Sequence, residues 1–476
     1  MVIKTDRSDK TEIKKFFLKI SGHQQRWLRP LPGAILIPPA LLVAADFSGL
    51  GDEIMFYESL LNDEEKAIQR EVRKFVRDEV SHDFIRALDR DEIKYPREYV
   101  EKLAAHNLLG LRFDPKWGGR GLPWTSEVIA IEEIGVLGTT LGCAFVMPSI
   151  VGEALHVFGT DEQKERFLKP ILQGKFISAE ALTEPRGGSD FFGATTRAVL
   201  EGDHFVVNGQ KRFVVGATEA DVFLVYCRTN FDEKAQKYQR ISAILVERSP
   251  GVETEYNYGL LGTRGGGTGR LVFRDVQVPK DNLIGVLHGG ALVFNQMMIP
   301  ERLTSAAASL GVRAALDLAV RYSDRRHAFG RPIRRFQAVN FMVADAITHL
   351  DAARALVYMA ARAVDTEAAN VRRVVSEAKR YATDTAWEIA NKAMQMMGGI
   401  GYTDIYPIEK VVRDIRLTQI WTGTNEIMNL LIQHEYYNEV LAGTEEVRNL
   451  ELDATSQDGN AEKCYTDEDM WQVHGK

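Results

Sequence analysis

Residues 394–427, MQMMGGIGYTDIYPIEKVVRDIRLTQIWTGTNEI, form the stretch from which the fold can be worked out. Three glycines within four residues end a long apolar helix, a Tyr-Pro turn follows, and charged residues then alternate up to a Thr-Gly-Thr turn. Ile427, Leu430 and Leu431 recur at helical spacing, so a helix begins at the second threonine, Thr424, which can cap it. The stretch predicts a corner between helices whose glycines let another group approach the backbone.

Upstream of this corner, apolar residues at helical spacing predict three more long helices. The stripes are Leu303, Ala307, Leu310, Ala314 and Leu318; Val343, Ile347, Leu350, Ala353 and Val357; and Val371, Val375, Ala378, Ala382, Ala386, Ile389 and Ala393. With the helix after Thr424 they make four, which is enough for a bundle.

The middle of the chain has a different pattern, with the β-branched runs TRAVL, HFVVNGQKRFVV, VFLVYC, ISAILVE and RLVFRDVQV. Asn208-Gly209 between two apolar runs is a strong signal for a type I′ hairpin turn. Roughly residues 183–290 are therefore predicted to be an all-β domain set between helical parts.

The N-terminal part becomes helical at Asn62, where Glu65 stands three residues on and Ile68, Val72 and Phe75 line one face. Residues before Met55 show no sustained period, and our hypothesis is that they are an appended arm or follow a misassigned start. The predicted organisation is an N-terminal extension (1–54), a helical domain (55–182), the β domain (183–290), a helical bundle (291–442) and a polar tail (443–476).

Composition excludes several classes of function. The net charge of −7 and the pI near 5.9 argue against non-specific nucleic-acid binding. Only three cysteines occur, far apart, and neither HExxH nor CxxC is present, so we expect no disulfide framework and no metal site. The longest apolar run, roughly residues 34–45, is shorter than the about 20 residues that cross a bilayer, so we expect no transmembrane segment. We expect a cytoplasmic protein; the mitochondrial matrix is the alternative.

Three loops raise the question of a ligand. TEPRGGSD (183–190) is either a glycine-rich turn or a backbone cradle for an anion, with Thr183 and Ser189 as small donors. GLLGTRGGGTG (259–269) precedes a strand where a Rossmann signature needs a helix, so we reject a nucleotide-binding fold. RRHAFGRPIRRFQ (325–337) carries five arginines, which form either a solvated surface or an anion clamp.

From about Met55 to Leu441 these stretches, taken together, resemble the acyl-CoA dehydrogenase family of flavoproteins. The resemblance rests on ordered motifs: TEPRGGSD, NGQKRFVV, LGTRGG…LVFRDVQVP, RRHAFGRPIRRFQ and the stretch quoted first. It implies an α+β multidomain fold with an N-terminal α-helical domain, a central β-barrel and a C-terminal four-helix bundle. It also implies bound FAD and a homo-oligomer, commonly a tetramer.

The resemblance further implies which residues contact the cofactor. Within one subunit these are Thr183, Ser189, Phe213, Val215, Thr424 and Glu426; Arg326, Phe329 and Gln337 match a clamp on the FAD of a neighbouring subunit, with Gln395 and Gly399 as further contacts. Two of them depart from the family pattern. Val215 replaces a hydroxyl residue that usually bonds the reactive flavin nitrogen, and Phe213 replaces a common tryptophan.

A third departure concerns the catalytic base. Many family members place a glutamate at the position of Thr422, and threonine cannot deprotonate a carbon acid at neutral pH. A subset that includes isovaleryl- and long-chain-type enzymes carries the glutamate at the start of the first bundle helix, in a Glu-Arg-Leu context, and this chain reads IPERL there. Glu301 is therefore predicted to be the base; the alternative is an acid in a first helical turn, favoured by the macrodipole.

The reaction implied is removal of the α-proton of an acyl-CoA thioester by Glu301, with hydride transfer from the β-carbon to the flavin, giving a trans-2-enoyl-CoA. Because a carboxylate of ordinary pKa is a poor base for this step, the pocket is expected to raise the pKa of Glu301 by desolvation. Electrons would pass to an electron-transferring flavoprotein. The alternatives are another flavin enzyme on the same scaffold, an oxidase or monooxygenase, or a catalytically silent relative that binds acyl-CoA.

Overall fold

The computed structural model describes residues 60–443, 448 and 450–453. The chain divides into two units, and everything below concerns the second, Ser59–Lys476. The predicted N-terminal extension and most of the predicted polar tail lie outside the described residues.

The N-terminal part is helical, as predicted. Its helices are α1 (Asp63–Glu79), α2 (His82–Asp89), α3 (Arg97–Ala105), α4 (Trp124–Gly135), α5 (Thr139–Phe158), α6 (Asp161–Gln163) and α7 (Lys169–Leu172), with a π-helical turn, Lys164–Leu168, between the last two. Asn62 and Glu65 form the predicted capping box of α1, and Ile68, Val72 and Phe75 are buried.

One eight-stranded sheet forms the middle of the molecule. Its strands are β1 (Ser178–Ala181), β2 (Arg197–Glu201), β3 (His204–Val214), β4 (Val222–Arg228), β5 (Ile241–Glu247), β6 (Val252–Asn257), β7 (Gly269–Pro279) and β8 (Leu283–Ile284). The order is β6-β7-β3-β2-β4-β5-β8, with β1 added in parallel beside β4. The sheet thus begins at Ser178, ahead of the TEPRGGSD loop.

The predicted hairpin turn at Asn208-Gly209 is wrong, because both residues lie inside the continuous strand β3. The turn between β2 and β3 is Gly202-Asp203, flanked by the pair Glu201–His204. At Gly209 the register with β7 shifts, φ is +145°, and a Cβ would lie 2.7 Å from the Thr196 Cα. The Asn-Gly pair therefore marks a bulge in a strand. The sequence signal was ambiguous because a bulge and a tight turn both need a glycine.

The C-terminal part consists of α8 (Gly290–Ser309), α9 (Arg313–Arg325), α10 (Gln337–Asp365), α11 (Val371–Met397), α12 (Ile408–Thr418) and α13 (Asn425–Leu441). A 3-10 turn, Leu310–Val312, separates α8 from α9, and a two-stranded hairpin, β9 (His327–Ala328) with β10 (Arg331–Pro332), leads to α10. Helix α11 packs against α8, α9, α10, α12 and α13 and is the centre of this part. Its predicted alanine-rich stripe is buried from Val375 to Ala393.

The C-terminal end of α8 and the 3-10 turn after it touch the N-terminal part backbone to backbone. A Cβ on Gly311 would lie 2.1 Å from the carbonyl carbon of Gly135, the last residue of α4, and a Cβ on Gly135 would lie 2.4 Å from the carbonyl oxygen of Ala308. Only glycine fits at both positions, so the two helices meet without any side chain between them.

Two helical segments in the described part of the chain are long and apolar enough to cross a membrane. They are Thr139–Phe158 and Gly290–Arg325, and 78% and 67% of their apolar windows are buried within the protein. This burial is what core helices of a folded domain show.

The last helix, α13, begins where the sequence predicted it, with Thr424 as its N-cap. Its apolar face is less buried than the spacing predicted, since Leu430 is 60% exposed and only Met428 among its apolar residues is fully buried. Tyr436, Tyr437 and Val440 are also exposed.

Candidate active site

The Thr-Gly-Thr turn before α13 has left-handed backbone at two successive residues, with φ +51° at Thr422 and φ +84° at Gly423. The Thr424 hydroxyl accepts a hydrogen bond from the backbone N–H of Ile427 at 3.3 Å, as its capping role requires. A Cβ on Gly423 would lie 2.7 Å from the Cε of Met428. The Thr422 hydroxyl is buried and has no hydrogen-bond partner.

A buried lysine of α11 holds this turn. The Lys379 Nζ donates hydrogen bonds to the Gly423 carbonyl and to the Asn425 Oδ1, both at 2.8 Å. Burial lowers the pKa of Lys379 to about 7, against the opposing charge of Asp384. The neighbouring Trp421 donates its indole N–H to the Ser305 hydroxyl at 2.9 Å, which ties the turn to α8.

Glu301 lies one turn before Ser305 on α8 and is only 7% exposed. Because α8 begins at Gly290 and Pro300 sits inside it, Glu301 is in the middle of the helix and not, as the sequence suggested, at its start. The alternative role as an acid of a first helical turn is therefore excluded, since the macrodipole acts at the helix ends.

Burial raises the pKa of the Glu301 carboxyl, which is the direction that the sequence analysis expected of a base. A hydrogen bond with Glu180 and the charges of Arg302 and Lys379 oppose that increase. The Oε1 atom is buried and has no hydrogen-bond partner. The Arg302 Nη1 donates to the Ser376 hydroxyl at 3.1 Å, and its Nε is buried without a hydrogen-bond partner.

Sequence reasoning missed Glu180, which brings a second carboxyl group to this place. It lies on β1, and its side chain is close enough to the Glu301 carboxyl and the Tyr226 hydroxyl to interact with both. Burial and the Glu301 charge raise the pKa of Glu180 well above its ordinary value. The signal in the sequence is an acid in the otherwise apolar strand SAEA, directly before TEPRGGSD.

The TEPRGGSD loop is held by a second buried pair that the sequence did not reveal. Glu184 meets Lys211 of β3, whose Nζ is 2.8 Å from its Oε1, and also accepts hydrogen bonds from the backbone N–H groups of Thr195 and Thr196. Thr183, one of the predicted contacts, is partly buried, and Ser189 is exposed. The hydroxyls of the loop are thus accessible while its backbone is anchored.

Phe213 is the second-last residue of β3 and presents an exposed aromatic ring. Its side chain is 55% exposed and lies 4.8 Å from the Tyr258 ring, although its backbone has φ +56°, a costly value for a bulky residue. Val215 nearby is partly buried. An exposed aromatic ring held by strained backbone, beside an anchored loop with free hydroxyls, fits the isoalloxazine and phosphates of FAD.

The other predicted cofactor residues lie at the surface of the chain: Arg326, Phe329, Gln337, Gln395, Gly399 and Glu426. Phe329 is 94% exposed at the tip of the β9–β10 hairpin, with φ +50°. Within the described residues, no hydrogen bond or ion pair connects any of them to the Glu301 side chain. The structure therefore brings Glu301 together with the Thr422–Thr424 turn, and leaves the arginine-rich hairpin facing outward.

Comparison with known proteins covers most of the described residues. Residues 62–175, 179–276 and 288–437 match the N-terminal, middle and C-terminal domains of acyl-CoA dehydrogenases. A short-chain specific acyl-CoA dehydrogenase of Clostridium acetobutylicum is 34% identical over 382 residues, 79% of this chain and 99% of that protein. Subunit CarC of the caffeyl-CoA reductase-Etf complex of Acetobacterium woodii is 35% identical over 374 residues, 78% of this chain and 97% of that protein.

Among solved structures, butyryl-CoA dehydrogenase from Megasphaera elsdenii superimposes with a TM-score of 0.75 at 30% identity. The match covers 79% of this chain and 99% of the Megasphaera elsdenii chain. Its fold, with a sheet domain between two helical domains, is the architecture described above.

Proposed function

The chain belongs to the acyl-CoA dehydrogenase family of FAD-dependent oxidoreductases, and from this premise we propose that it converts an acyl-CoA thioester into a trans-2-enoyl-CoA with Glu301 as the base. The observation that carries the proposal is the buried Glu301 carboxyl with an unpartnered oxygen, beside a turn whose Thr422 cannot take a proton.

The residues that would hold FAD fall into two groups. Thr183, Ser189, Phe213, Val215, Thr424 and Glu426 would contact it within one subunit, and Arg326, Phe329, Gln337, Gln395 and Gly399 would contact the FAD of a neighbouring subunit. When bound there, FAD supplies the acceptor for the hydride that leaves the β-carbon.

The chain's own contribution is the proton transfer. Glu301 takes the α-proton, and its burial makes the ionised carboxylate a stronger base than it would be in water. A positioned base of this kind contributes about 10²- to 10⁴-fold to the rate, which corresponds to about 3–5 kcal/mol. Helix α8 fixes the position of the base because the Trp421–Ser305 hydrogen bond and the Gly135–Gly311 contact both hold that helix.

Two partners follow from the proposal. The similarity to a subunit of a caffeyl-CoA reductase-Etf complex supports an electron-transferring flavoprotein as the electron acceptor. The exposed apolar side chains of α13 and the exposed Phe329 support a homo-oligomer, a tetramer by family resemblance, because a lone chain would leave them in water.

Anaerobic reduction of the flavin by a panel of acyl-CoA thioesters tests the proposal. The wild-type protein and the control Glu98→Gln, a change of an exposed acid on α3, should be bleached by at least one thioester. Glu301→Gln should bind FAD equally well and be bleached at least about 100-fold more slowly. A Glu301→Gln variant that is bleached at the wild-type rate would contradict the assignment.

Three further outcomes separate the dehydrogenase from its alternatives. Bleaching by no thioester in the wild-type protein indicates a silent binder. Rapid reoxidation by air with release of peroxide indicates an oxidase. Slow reaction with oxygen but rapid electron transfer to an electron-transferring flavoprotein supports the dehydrogenase.

A further inference from the structure

Three buried polar atoms have no hydrogen-bond partner: the Oε1 of Glu180, the Oη of Tyr226 and the Oε1 of Glu301. Their side chains are neighbours, because Glu180 interacts electrostatically with both Glu301 and Tyr226. They come from β1, β4 and α8 respectively. In the parallel β1–β4 ladder Glu180 is opposite Leu224, so Tyr226, two residues further, is on the same face of the sheet as Glu180. Tyr226 also contacts α8 through the Phe294 ring, whose centroid is 6.2 Å away.

The cations nearest to this group bond to other residues, although the Nε of Arg302 has no hydrogen-bond partner. Lys211 on β3 pairs with Glu184, Arg302 on α8 donates to Ser376, and Lys379 on α11 donates to the Thr422–Thr424 turn. Within the described part of the chain, no ion pair reaches Glu180 or Glu301. Two neighbouring carboxyl groups with buried oxygens and no ion pair favour the state in which only one of them is ionised.

We propose that Glu180 is a positioning residue for Glu301, and that the two carboxyl groups share one proton, which resides on Glu180 and is donated to the Glu301 carboxylate. The inference rests on the proposed function, in which Glu301 is the base. The surrounding charges favour the proton on Glu180. Arg302 and Lys379 favour the ionised form of Glu301. Glu180 faces the Glu301 charge and the neutral Tyr226 hydroxyl, and the Lys211 charge, which favours its ionised form, is the smallest of these influences.

This arrangement has two consequences for catalysis. The hydrogen bond from Glu180 keeps Glu301 ionised in a pocket that would otherwise neutralise it, and it fixes one carboxylate oxygen so that the other faces the substrate. When Glu301 takes the α-proton from carbon, the pair becomes a neutral diacid, which is the form that a buried, low-dielectric site favours. The α-proton ends on Glu301, and the first proton stays on Glu180.

Two substitutions separate the hydrogen bond from the acid. Glu180→Gln keeps an N–H donor toward Glu301 but cannot titrate, and Glu180→Leu removes both. The rate of anaerobic flavin bleaching is measured against pH, and in each protein it should decrease below an apparent pKa. This apparent pKa should be similar to or lower than the wild-type value in Glu180→Gln, and at least about one unit higher than the wild-type value in Glu180→Leu. A purely structural role for Glu180 would lower the rate equally at every pH and leave the profile in place.

A second readout needs no substrate. Because the folded protein holds a proton that an unfolded carboxyl group has lost at neutral pH, the pair's contribution to stability is greatest in acid and falls as the pH rises through the folded pKa. Glu180→Gln should remove that pH-dependent loss in urea unfolding of the FAD-loaded protein. The infrared carbonyl stretch of a buried protonated carboxyl group at about pH 8 should be present in the wild-type protein and absent in Glu180→Gln.

These readouts distinguish failure of the inference from failure of the proposed function. If no thioester bleaches the wild-type flavin but the infrared band and the stability slope behave as described, the shared proton stands and the dehydrogenase function fails. If the Glu180→Leu profile matches that of the wild-type protein, or the band persists in Glu180→Gln, the shared proton is refuted. FAD content and the unfolding midpoint confirm that each variant is folded.

Discussion

Replacing Lys211 by methionine should destabilise the protein far more than loss of an ordinary ion pair. The Lys211 and Glu184 side chains are 0% and 1% exposed, and the lysine Nζ lies 2.8 Å from the Glu184 Oε1 and 3.0 Å from the Leu182 carbonyl. Methionine keeps the volume but leaves a buried carboxylate without its counter-charge. Breaking a buried pair in this way costs about 3–5 kcal/mol.

The matched control is Lys169→Met, which removes the exposed pair with Glu165. Such surface pairs contribute about 0–1 kcal/mol. The first assay is urea unfolding of the FAD-loaded protein at neutral pH. The second assay measures the rate at which the folded protein releases FAD. Because the Arg212 backbone N–H donates to the Thr183 carbonyl at 2.7 Å, the loop moves with β3, and Lys211→Met should also release FAD faster.

The pH dependence of the difference tests the cause. Burial alone would raise the pKa of Glu184, but the Lys211 charge and the hydrogen bonds to the carboxylate outweigh it, so the pKa lies below its ordinary value. The stability from this group is therefore present above the unfolded pKa and is lost as the pH falls through the folded one. The difference in the free energy of unfolding between the wild-type protein and Lys211→Met should become smaller at acidic pH. A loss no larger than that of Lys169→Met at neutral pH would refute the reasoning.

Two other predictions concern the flavin face and the turn. Phe213→Ala should weaken FAD binding about tenfold, or about 1.4 kcal/mol, because an aromatic contact is lost. The control Tyr238→Ala, which removes another exposed ring, should leave FAD binding unchanged. Equal FAD dissociation constants in the two variants would contradict this prediction. Since the pKa of Lys379 is lowered to about 7 from 10.5, the unfolded chain binds more protons between those values, and this group's contribution to stability rises with pH there. Lys379→Met should flatten that rise in urea midpoints measured from about pH 7 to about pH 9; an unchanged slope would contradict the lowered pKa.

The predictions of helix caps were correct because capping depends only on residues that are close in sequence. The capping box at Asn62 and the cap at Thr424 depend on residues three apart, and both are present in the structure. The Asn208-Gly209 prediction was wrong because a bulge and a tight turn both call for glycine, and only the long strand pairing of β3 with β7 selects the bulge. That pairing joins residues about 70 apart in sequence, which no short motif encodes.

The site was predicted in part for the same reason. Glu301 and the turn residues stand in motifs whose order alone suggests the family. Glu180 and Lys211 could not be placed, because each gains its importance from a partner on another element: Glu180 from Glu301, and Lys211 from Glu184. An acid in a buried strand is a warning of such a partner, but the sequence does not say which residue it meets.

The meeting of Gly135 with Gly311 sets a limit on how enzymes of this shape diversify. A contact between two backbones has no side chain whose size could be changed. Single substitutions therefore cannot move the helix that carries Glu301 without disrupting this contact. New substrate preferences should therefore arise from substitutions on neighbouring elements such as α5, which packs against both α8 and β1. Natural variation and directed evolution alike would reshape the cavity around a stationary base.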